Sequence, residues 1–120
     1  VVASVSPVVV SVMFLLTPDE EYAPKWYYHN AVGFEFADSA DKHGIPRHDA
    51  EYAVMHHVDY EILHPRRPGE QSFMFVGLPH PQALRYLEVG VAVDGRGRRI
   101  IFHAMEVTDL YRHLIPPTDR

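Results

Sequence analysis

The sequence predicts an α+β domain with two N-terminal helices, an antiparallel sheet of three to four strands and a closing C-terminal helix. Residues 36–58 contain Ala and charged residues at helical spacing, residues 60–106 contain runs with strand periodicity, and a hairpin turn joins the last two runs. Because the helices precede the strands instead of alternating with them, we expect an antiparallel sheet covered by helices on one face.

Two helices are predicted before the sheet. The first spans residues 36–43, and Gly44 follows it as a C-terminal cap. The second spans about residues 47–58, because Pro46 and Asp49 suit the first turn of a helix. Its predicted buried face contains residues at helical spacing: Ala50, Val54, His57 and Val58.

The strands are predicted after these helices. Two short ones cover residues 60–64 and 73–77, and each ends at a turn that contains proline. Two longer ones cover residues 84–93 and 98–106, and the turn sequence DGRG at residues 94–97 joins them as a hairpin.

The closing helix is predicted over residues 108–114. Thr108 suits its N-cap and Asp109 suits its first turn. Pro116 and Pro117 follow directly after Ile115 and stop it.

The length of 120 residues allows one domain, predicted over residues 31–120, with residues 1–30 as an N-terminal extension. Residues 1–16 carry no charge, but a spanning helix needs about 20 apolar residues, and no Lys or Arg precedes them as in a signal peptide. We therefore expect no membrane attachment. Residues 1–12, which precede Met13, are predicted to lie outside the functional domain.

The composition limits the chemistry available to the chain. It contains no cysteine, which excludes disulfides, thiol catalysis and iron–sulfur clusters. Its nine histidines lack the spacing of common metal motifs, and the adjacent His56 and His57 would point about 100° apart on a helix. Neither a phosphate-loop motif nor a nucleophilic serine motif occurs, so no metal and no cofactor are predicted.

Charge is distributed unevenly along this acidic chain. Residues 1–61 contain three Lys or Arg against ten Asp or Glu, whereas residues 62–120 contain eight Arg against six. Arginine pairs with phosphate through a planar fork of donors, so the second half can contact a polyanion. Arg66, Arg67 and Arg112 are the candidate RNA-binding residues, and a solvated basic surface is the alternative.

The hairpin between the last two strands predicts a pair of reactive side chains. A four-residue loop pairs Val93 with Arg98 and therefore places Glu88 opposite His103. Opposed strand residues have Cβ atoms about 4.5–5.5 Å apart, which is close enough for a hydrogen bond between carboxylate and imidazole. An unreactive cross-strand polar pair is the alternative, and a loop of three or five residues would put the two side chains on opposite faces.

The predicted pair of Glu88 and His103 can transfer protons near neutral pH. Arg85 and Arg99 are the candidates for binding a phosphate beside it, with Arg99 expected on the same face as the pair. Together these four candidate catalytic residues suit metal-independent cleavage of RNA through attack by its 2′-hydroxyl.

Several motifs occur in the order found in a known toxin family. The sequence FEF at residues 34–36 gives an aromatic and acidic start, and KHGI at residues 42–45 closes the first predicted helix. LRYLEV at residues 84–89 and RIIFHAM at residues 99–105 follow. Over about residues 34–114 the chain resembles the BrnT-like toxins, whose fold is similar to that of RelE-type ribonuclease toxins.

The resemblance implies a cytoplasmic toxin of a type II toxin–antitoxin pair, which cleaves RNA and forms a hetero-oligomer with an antitoxin of the ribbon-helix-helix type. It matches Arg85 and Arg99 to arginines that recur at the starts of the third and fourth strands. Two positions differ from the family, because Met105 stands where an arginine is usual and His103 where a serine is usual. Glu88 and His103 are assigned by the hairpin alone.

A non-catalytic protein-interaction domain with a RelE-like fold is the alternative function. The apolar N-terminal segment and the aromatic cluster Trp26–Tyr28 would then form the surface that contacts a partner. Growth arrest by the chain expressed alone would favour the toxin, and normal growth would favour the interaction domain.

Overall fold

A five-stranded mixed sheet organises the part of the chain that the computed structural model describes, residues 34–120. The strands are β1 Glu35–Phe36, β2 Asp59–Leu63, β3 Gln71–Gly77, β4 Leu87–Val93 and β5 Arg99–Glu106. Their order across the sheet is β1-β5-β4-β3-β2; β2 to β5 are antiparallel neighbours and β1 is parallel to β5. The predictions for residues 1–30, including the aromatic cluster Trp26–Tyr28, lie outside the described residues. No helix among residues 34–120 is long and apolar enough to cross a lipid bilayer.

The predicted fold class is wrong, because the sheet is mixed and only one α-helix occurs among the described residues. This helix, α1, spans Arg47–Met55 and begins after Pro46 as expected, but it ends before Val58. It stops early because the chain joins the sheet here: the backbone N–H of Val58 donates to the Val76 carbonyl at 2.8 Å.

The first predicted helix, over residues 36–43, is replaced by the end of β1 and a 3-10 turn at Asp38–Asp41. Hydrogen bonds to β5 compete with helix formation in this segment. The Ser39 hydroxyl, for example, donates to the Phe102 carbonyl at 2.5 Å. Helix propensity alone does not reveal this contact, because its partner is far away in sequence.

The closing helix predicted over residues 108–114 is also absent, and turns with a short 3-10 turn at Arg112–Leu114 replace it. The hydrogen bonds of Thr108 explain why no helix begins here. Both the N–H and the hydroxyl of Thr108 donate to Glu88 Oε1, at 2.6 Å each. The hydroxyl that was expected to cap a helix therefore binds a strand residue instead.

One face of the sheet packs against α1 and is mostly apolar; we call it the α1 face. Ala50, Ala53 and Val54 of the helix are buried against β3 and β4. The strand residues on this face include five that are fully buried: Phe73, Phe75, Val89, Val91 and Ile101. Gly77 allows the closest approach, since a Cβ there would overlap the Ala53 carbonyl oxygen.

The opposite face, on which Met74 and Val76 lie, is partly covered by the C-terminal segment; we call it the C-terminal face. A second buried cluster forms here: Met74, Val76, Tyr86, Tyr111, Leu114 and Ile115. The Arg120 guanidinium ties down the end of the segment by donating to the carbonyls of Ile115 and His113, at 2.8 Å each. Coverage of one face alone, as predicted, is therefore wrong.

The register between β4 and β5 also differs from the prediction. Val93 pairs with Arg99 instead of Arg98, so the connecting loop contains five residues instead of four. A loop of this length would by itself put Glu88 and His103 on opposite faces, because side chains alternate along a strand.

A β-bulge in β5 restores the alternation. Gly90 pairs with His103, and beyond this point the register shifts by one residue, which leaves Phe102 without a partner across the ladder. His103 therefore lies on the C-terminal face with Glu88, whereas Arg99, on the other side of the bulge, lies on the α1 face.

Candidate active site

Glu88 and His103 meet on the C-terminal face of β4 and β5. Glu88 is directly opposite Met105, and His103 lies diagonally across from it, within reach of a long side chain. The Nε2–H of His103 donates to Glu88 Oε2 at 2.9 Å. The two side chains are therefore in contact, although through a different register from the one predicted.

Glu88 is a buried carboxylate with satisfied hydrogen bonds. It is 3% exposed, and Thr108 donates to its Oε1 from both the N–H and the hydroxyl. These donors and the His103 imidazole compensate for the loss of water around the charge. Because Oε2 binds the Nε2–H of His103, Nδ1 is the ring nitrogen that can accept a proton.

His103 is the accessible member of the pair, with 25% of its side chain exposed. A second imidazole lies beside it. The ring centroids of His43 and His103 are 5.8 Å apart, and the ring planes are nearly perpendicular at 76°. His43 is itself exposed, so both rings can reach a substrate bound from solvent.

The position of His43 follows from the attachment of its segment to β5. The N–H of Ala37 donates to the Ile101 carbonyl at 2.9 Å, and the Ser39 hydroxyl donates to the Phe102 carbonyl. Sequence reasoning missed His43 as a site residue, because only the parallel pairing of β1 with β5 brings it here. The one available signal was its place in the KHGI motif.

A cation stacked on an aromatic ring lies on the same bulge. The Phe102 ring sits over Gly90, where a Cβ would fall 2.7 Å from the ring Cζ. The Arg66 guanidinium carbon is 4.2 Å from the centroid of the Phe102 ring. Arg67 follows in the same loop and is exposed, so two of the predicted RNA-binding arginines are presented together.

Arg99 does not join this site, contrary to the prediction. It is 7% exposed on the α1 face, and its guanidinium carbon is 5.2 Å from the centroid of the Phe34 ring. The bulge at Phe102 is the physical reason, because it reverses the side-chain alternation between Arg99 and His103. The burial of Arg99 is that of a residue that packs β5 against Phe34, which directly precedes β1.

Arg85 and Arg112 lie in a different place from the Glu88–His103 pair. Both line a pocket of about 140 Å³ beside the C-terminal segment. Arg85 Nη1 is 3.4 Å from Glu106 Oε1, and Arg112 Nε donates to Asp109 Oδ1 at 3.0 Å. Each guanidinium already has a carboxylate partner, and the structure does not bring either one into contact with the pair.

A second carboxylate and imidazole occur on the C-terminal face. His113 Nε2 lies 3.4 Å from Glu61 Oε1, and both side chains are about half exposed. Tyr111 lies near this pair and near Glu88: burial, followed by the negative charges of Glu61 and Glu88, raises the pKa of Tyr111.

No family model matches the chain, and neither a curated protein nor a solved structure matches it. Function is therefore inferred from the side chains themselves. Within residues 34–120, no group of three or more His, Asp and Glu side chains is arranged to hold a metal ion. What the site does offer is one imidazole oriented by a buried carboxylate, a second imidazole and a stacked guanidinium. These groups can perform acid–base chemistry on an anionic substrate.

Proposed function

We propose that the chain is a metal-independent endoribonuclease, the toxin of a type II toxin–antitoxin pair, and that Glu88 and His103 carry its proton transfer. One observation supports this above all others: a fully hydrogen-bonded, buried carboxylate orients an imidazole that solvent can reach. A buried carboxylate that orients a histidine is a recurring device for general base catalysis.

The proposed base is His103 Nδ1, because Glu88 engages the other ring nitrogen. Nδ1 accepts the proton of a ribose 2′-hydroxyl, and the 2′-oxygen attacks the adjacent phosphorus. The bond from phosphorus to the 5′-oxygen breaks and that oxygen takes up a proton, so the products are a 2′,3′-cyclic phosphate and a free 5′-hydroxyl. This chemistry uses the 2′-hydroxyl as the nucleophile, so it acts on RNA and leaves DNA intact.

Arg66, with Arg67 beside it, is the proposed phosphate contact in place of Arg99. The Arg66 guanidinium stacks on Phe102, which is adjacent to His103 in the sequence. Guanidinium groups bind phosphate through paired donors and stabilise the charge that develops during phosphoryl transfer. Arg85 and Arg112 are proposed to contact the flanking backbone of the RNA, where exchange of their carboxylate partners for phosphate is possible.

A protein partner is the second part of the proposal. Leu84 is 94% exposed and lines a pocket of about 300 Å³, which the Tyr86 ring also lines. The Tyr86 hydroxyl donates to Asp119 at 2.6 Å, and this hydrogen bond, together with burial, raises the pKa of Tyr86 to about 12. An antitoxin of the ribbon-helix-helix type, as the BrnT-like resemblance suggests, is the proposed occupant, and a cytoplasmic location is proposed with it.

The same exposed leucine supports the second candidate function, a non-catalytic protein-interaction domain. This leucine shares its pocket with Leu78, Ala83 and Tyr86, and an apolar patch made by several side chains, not one leucine alone, is what marks a binding surface. The two functions differ in what the chain does alone, since only the ribonuclease harms a cell without its partner. Expression of the chain with and without the adjacent reading frame, followed by growth and total RNA integrity, separates them.

Cleavage of a defined RNA by the purified chain, with EDTA present, tests the proposed chemistry directly. We expect 2′,3′-cyclic phosphate ends, no cleavage of a substrate with 2′-deoxyribose throughout, and a rate lower by about 10² to 10⁴ for His103→Ala. His80→Ala is the matched control, because His80 is exposed in the turn between β3 and β4. Equal rates for the His103→Ala and His80→Ala proteins would overturn the proposal.

A further inference from the structure

We propose that His43 is a catalytic residue of the same site and protonates the 5′-oxygen that leaves during cleavage. This inference rests on the ribonuclease function proposed above and assigns its missing second proton carrier. Cleavage by 2′-hydroxyl attack needs one group that removes a proton and one that supplies a proton. Glu88 orients only one imidazole, that of His103, for the first task.

His43 has the position that the second task requires. Its ring centroid is 5.8 Å from that of His103, so one phosphodiester can contact both imidazoles. His43 is exposed, whereas His103 is held between Glu88 and the bulge. In an in-line displacement the leaving 5′-oxygen lies opposite the attacking 2′-oxygen, so its proton must come from a group other than the base, and the exposed His43 ring is accessible for this task.

The backbone holds His43 at this place. The segment before it pairs with β5 through β1 and through the Ser39 hydroxyl, which binds the Phe102 carbonyl. Gly44, directly after His43, has a φ of 73°, a left-handed conformation that glycine adopts without strain. The turn therefore ends at His43 and directs the chain away to α1, so that this imidazole is left at the rim of the site.

The proton balance of the proposed step is complete. His103 Nδ1 takes the proton of the 2′-hydroxyl as the bond from the 2′-oxygen to phosphorus forms. The bond from phosphorus to the 5′-oxygen breaks, and the imidazolium of His43 gives its proton to that oxygen. His103 ends protonated and His43 ends neutral, and exchange with water restores both. No oxidant, reductant or hydrolytic water is consumed.

The Arg66 guanidinium fits this step as the group that faces the phosphate between the two imidazoles. It stacks on the ring of Phe102, the residue whose carbonyl anchors the His43 segment and whose neighbour is His103. Arg66 thus stacks on the bulge residue, His103 follows that residue in the sequence, and the segment before His43 is hydrogen-bonded to it. Cleavage of a phosphodiester can use a base, an acid and a guanidinium together.

A substrate with an altered leaving group tests the role of His43. Sulfur in place of the bridging 5′-oxygen leaves as a thiolate and needs no proton, so it relieves the need for a general acid but not for a general base. We expect His43→Ala to cleave ordinary RNA at least 10²-fold more slowly than wild type, and to cleave the 5′-thio substrate within about 5-fold of wild type. His103→Ala should stay slow on both substrates.

Two further proteins control the experiment. His48→Ala removes an imidazole that is exposed at the start of α1, and it should cleave both substrates as the wild type does. His43→Gln keeps the size of the side chain, so its loss of activity on ordinary RNA would not come from an empty space beside His103. Thermal unfolding of each variant checks that the fold is retained.

Each outcome decides between the two proposals. If the wild-type chain does not cleave RNA, the ribonuclease function fails and the role of His43 fails with it. If the wild type cleaves and His103→Ala does not, but His43→Ala cleaves at the wild-type rate, only the His43 assignment is overturned. A slow His43→Ala protein that the 5′-thio substrate does not rescue also overturns it, because His43 would then only position its neighbour.

Discussion

The two faces of the sheet differ in what holds their side chains. On the α1 face, apolar residues pack against the helix, and Gly77 lies against the main chain of Ala53. On the C-terminal face, the buried Glu88 is held by hydrogen bonds from Thr108 and His103. The α1 face is therefore held by close packing of helix on sheet, whereas the C-terminal face combines a buried apolar cluster with directed polar contacts to Glu88.

Two glycines show this difference: Gly77 lies on the α1 face and Gly90 on the C-terminal face. A Cβ at Gly77 would meet main-chain atoms of Ala53, which cannot move without displacing α1. A Cβ at Gly90 would meet Cζ and Cε1 of the Phe102 ring at 2.7 and 2.8 Å and His103 Cβ at 3.1 Å, so the whole Phe102 side chain would have to swing away, which a side chain can do more easily than α1 can move. The α1 face thus tolerates an added methyl group least, and the C-terminal face carries the groups that are proposed to contact a substrate.

The largest expected effect is on the α1 face. Gly77→Ala forces the added methyl group into the Ala53 carbonyl, so helix and sheet must separate locally. We expect a loss of at least about 3 kcal/mol in the free energy of unfolding, the upper range for overpacking a core. Urea unfolding followed by circular dichroism measures it. An unfolding midpoint within error of wild type would show that α1 can slide, and would contradict the rigid fit described here.

Glu88→Ala is expected to have the next largest effect on stability. It removes the acceptor of Thr108 and His103 and leaves the part-buried Thr108 N–H without this partner. Loss of one partner from a buried polar group costs about 1 to 3 kcal/mol. The same urea unfolding measures it, and Thr108→Val, which removes only the hydroxyl, should cost about 1 kcal/mol. Equal stability of the Glu88→Ala and wild-type proteins would mean that the network does not hold the face.

Part of this fold follows from the sequence. Helix α1 is predicted by Pro46 and by the helical spacing of Ala50 and Val54, which are local signals. The hairpin of β4 and β5 is predicted by its turn composition and its β-branched runs. Both elements depend mainly on residues close to each other in the sequence, which is why one sequence is enough to predict them.

The remaining elements depend on distant partners. The segment before His43 resembles a helix until its hydrogen bonds to β5 are known, and Thr108 resembles a helix cap until Glu88 is placed beside it. The bulge at Phe102 has no local signal, so the predicted register and the expected face of Arg99 are both wrong. Glu88 and His103 meet as expected only because the longer loop and the bulge each shift the alternation by one residue.

Gly90→Ala sharpens the comparison with Gly77, because the same change is made on the other face. The Phe102 ring has to move, and the stacked Arg66 has to move with it. We expect a cost of about 1 kcal/mol in unfolding free energy, since the closest contacts are with a side chain that can move and the His103 Cβ, at 3.1 Å, has to shift only slightly. Affinity for an uncleavable RNA with a 2′-deoxyribose at the scissile position should fall several-fold in a fluorescence anisotropy titration. Unchanged affinity would remove Arg66 from the proposed substrate contacts.

The smallest expected effect is a pH dependence on the α1 face, at His57. Burial lowers the pKa of His57, an effect that its hydrogen bond to the Val54 carbonyl at 2.7 Å and the charge of Asp59 partly oppose. In the unfolded chain the imidazole titrates near about 6.5. As the pH falls below this value, the unfolded state takes up the proton first. The stability that the neutral His57 imidazole contributes is therefore present above pH about 6.5 and is lost as the pH falls toward the lower pKa of the folded state.

His57→Phe keeps an aromatic ring against Phe75. This variant should therefore lose less stability than wild type between pH 7 and pH 5, and the difference should be less than about 1.4 kcal/mol per pH unit. Urea unfolding at several pH values measures the two slopes, and His80→Phe controls for removing one imidazole. A His57→Phe slope as steep as that of wild type would show that protonation of this ring does not oppose packing on the α1 face.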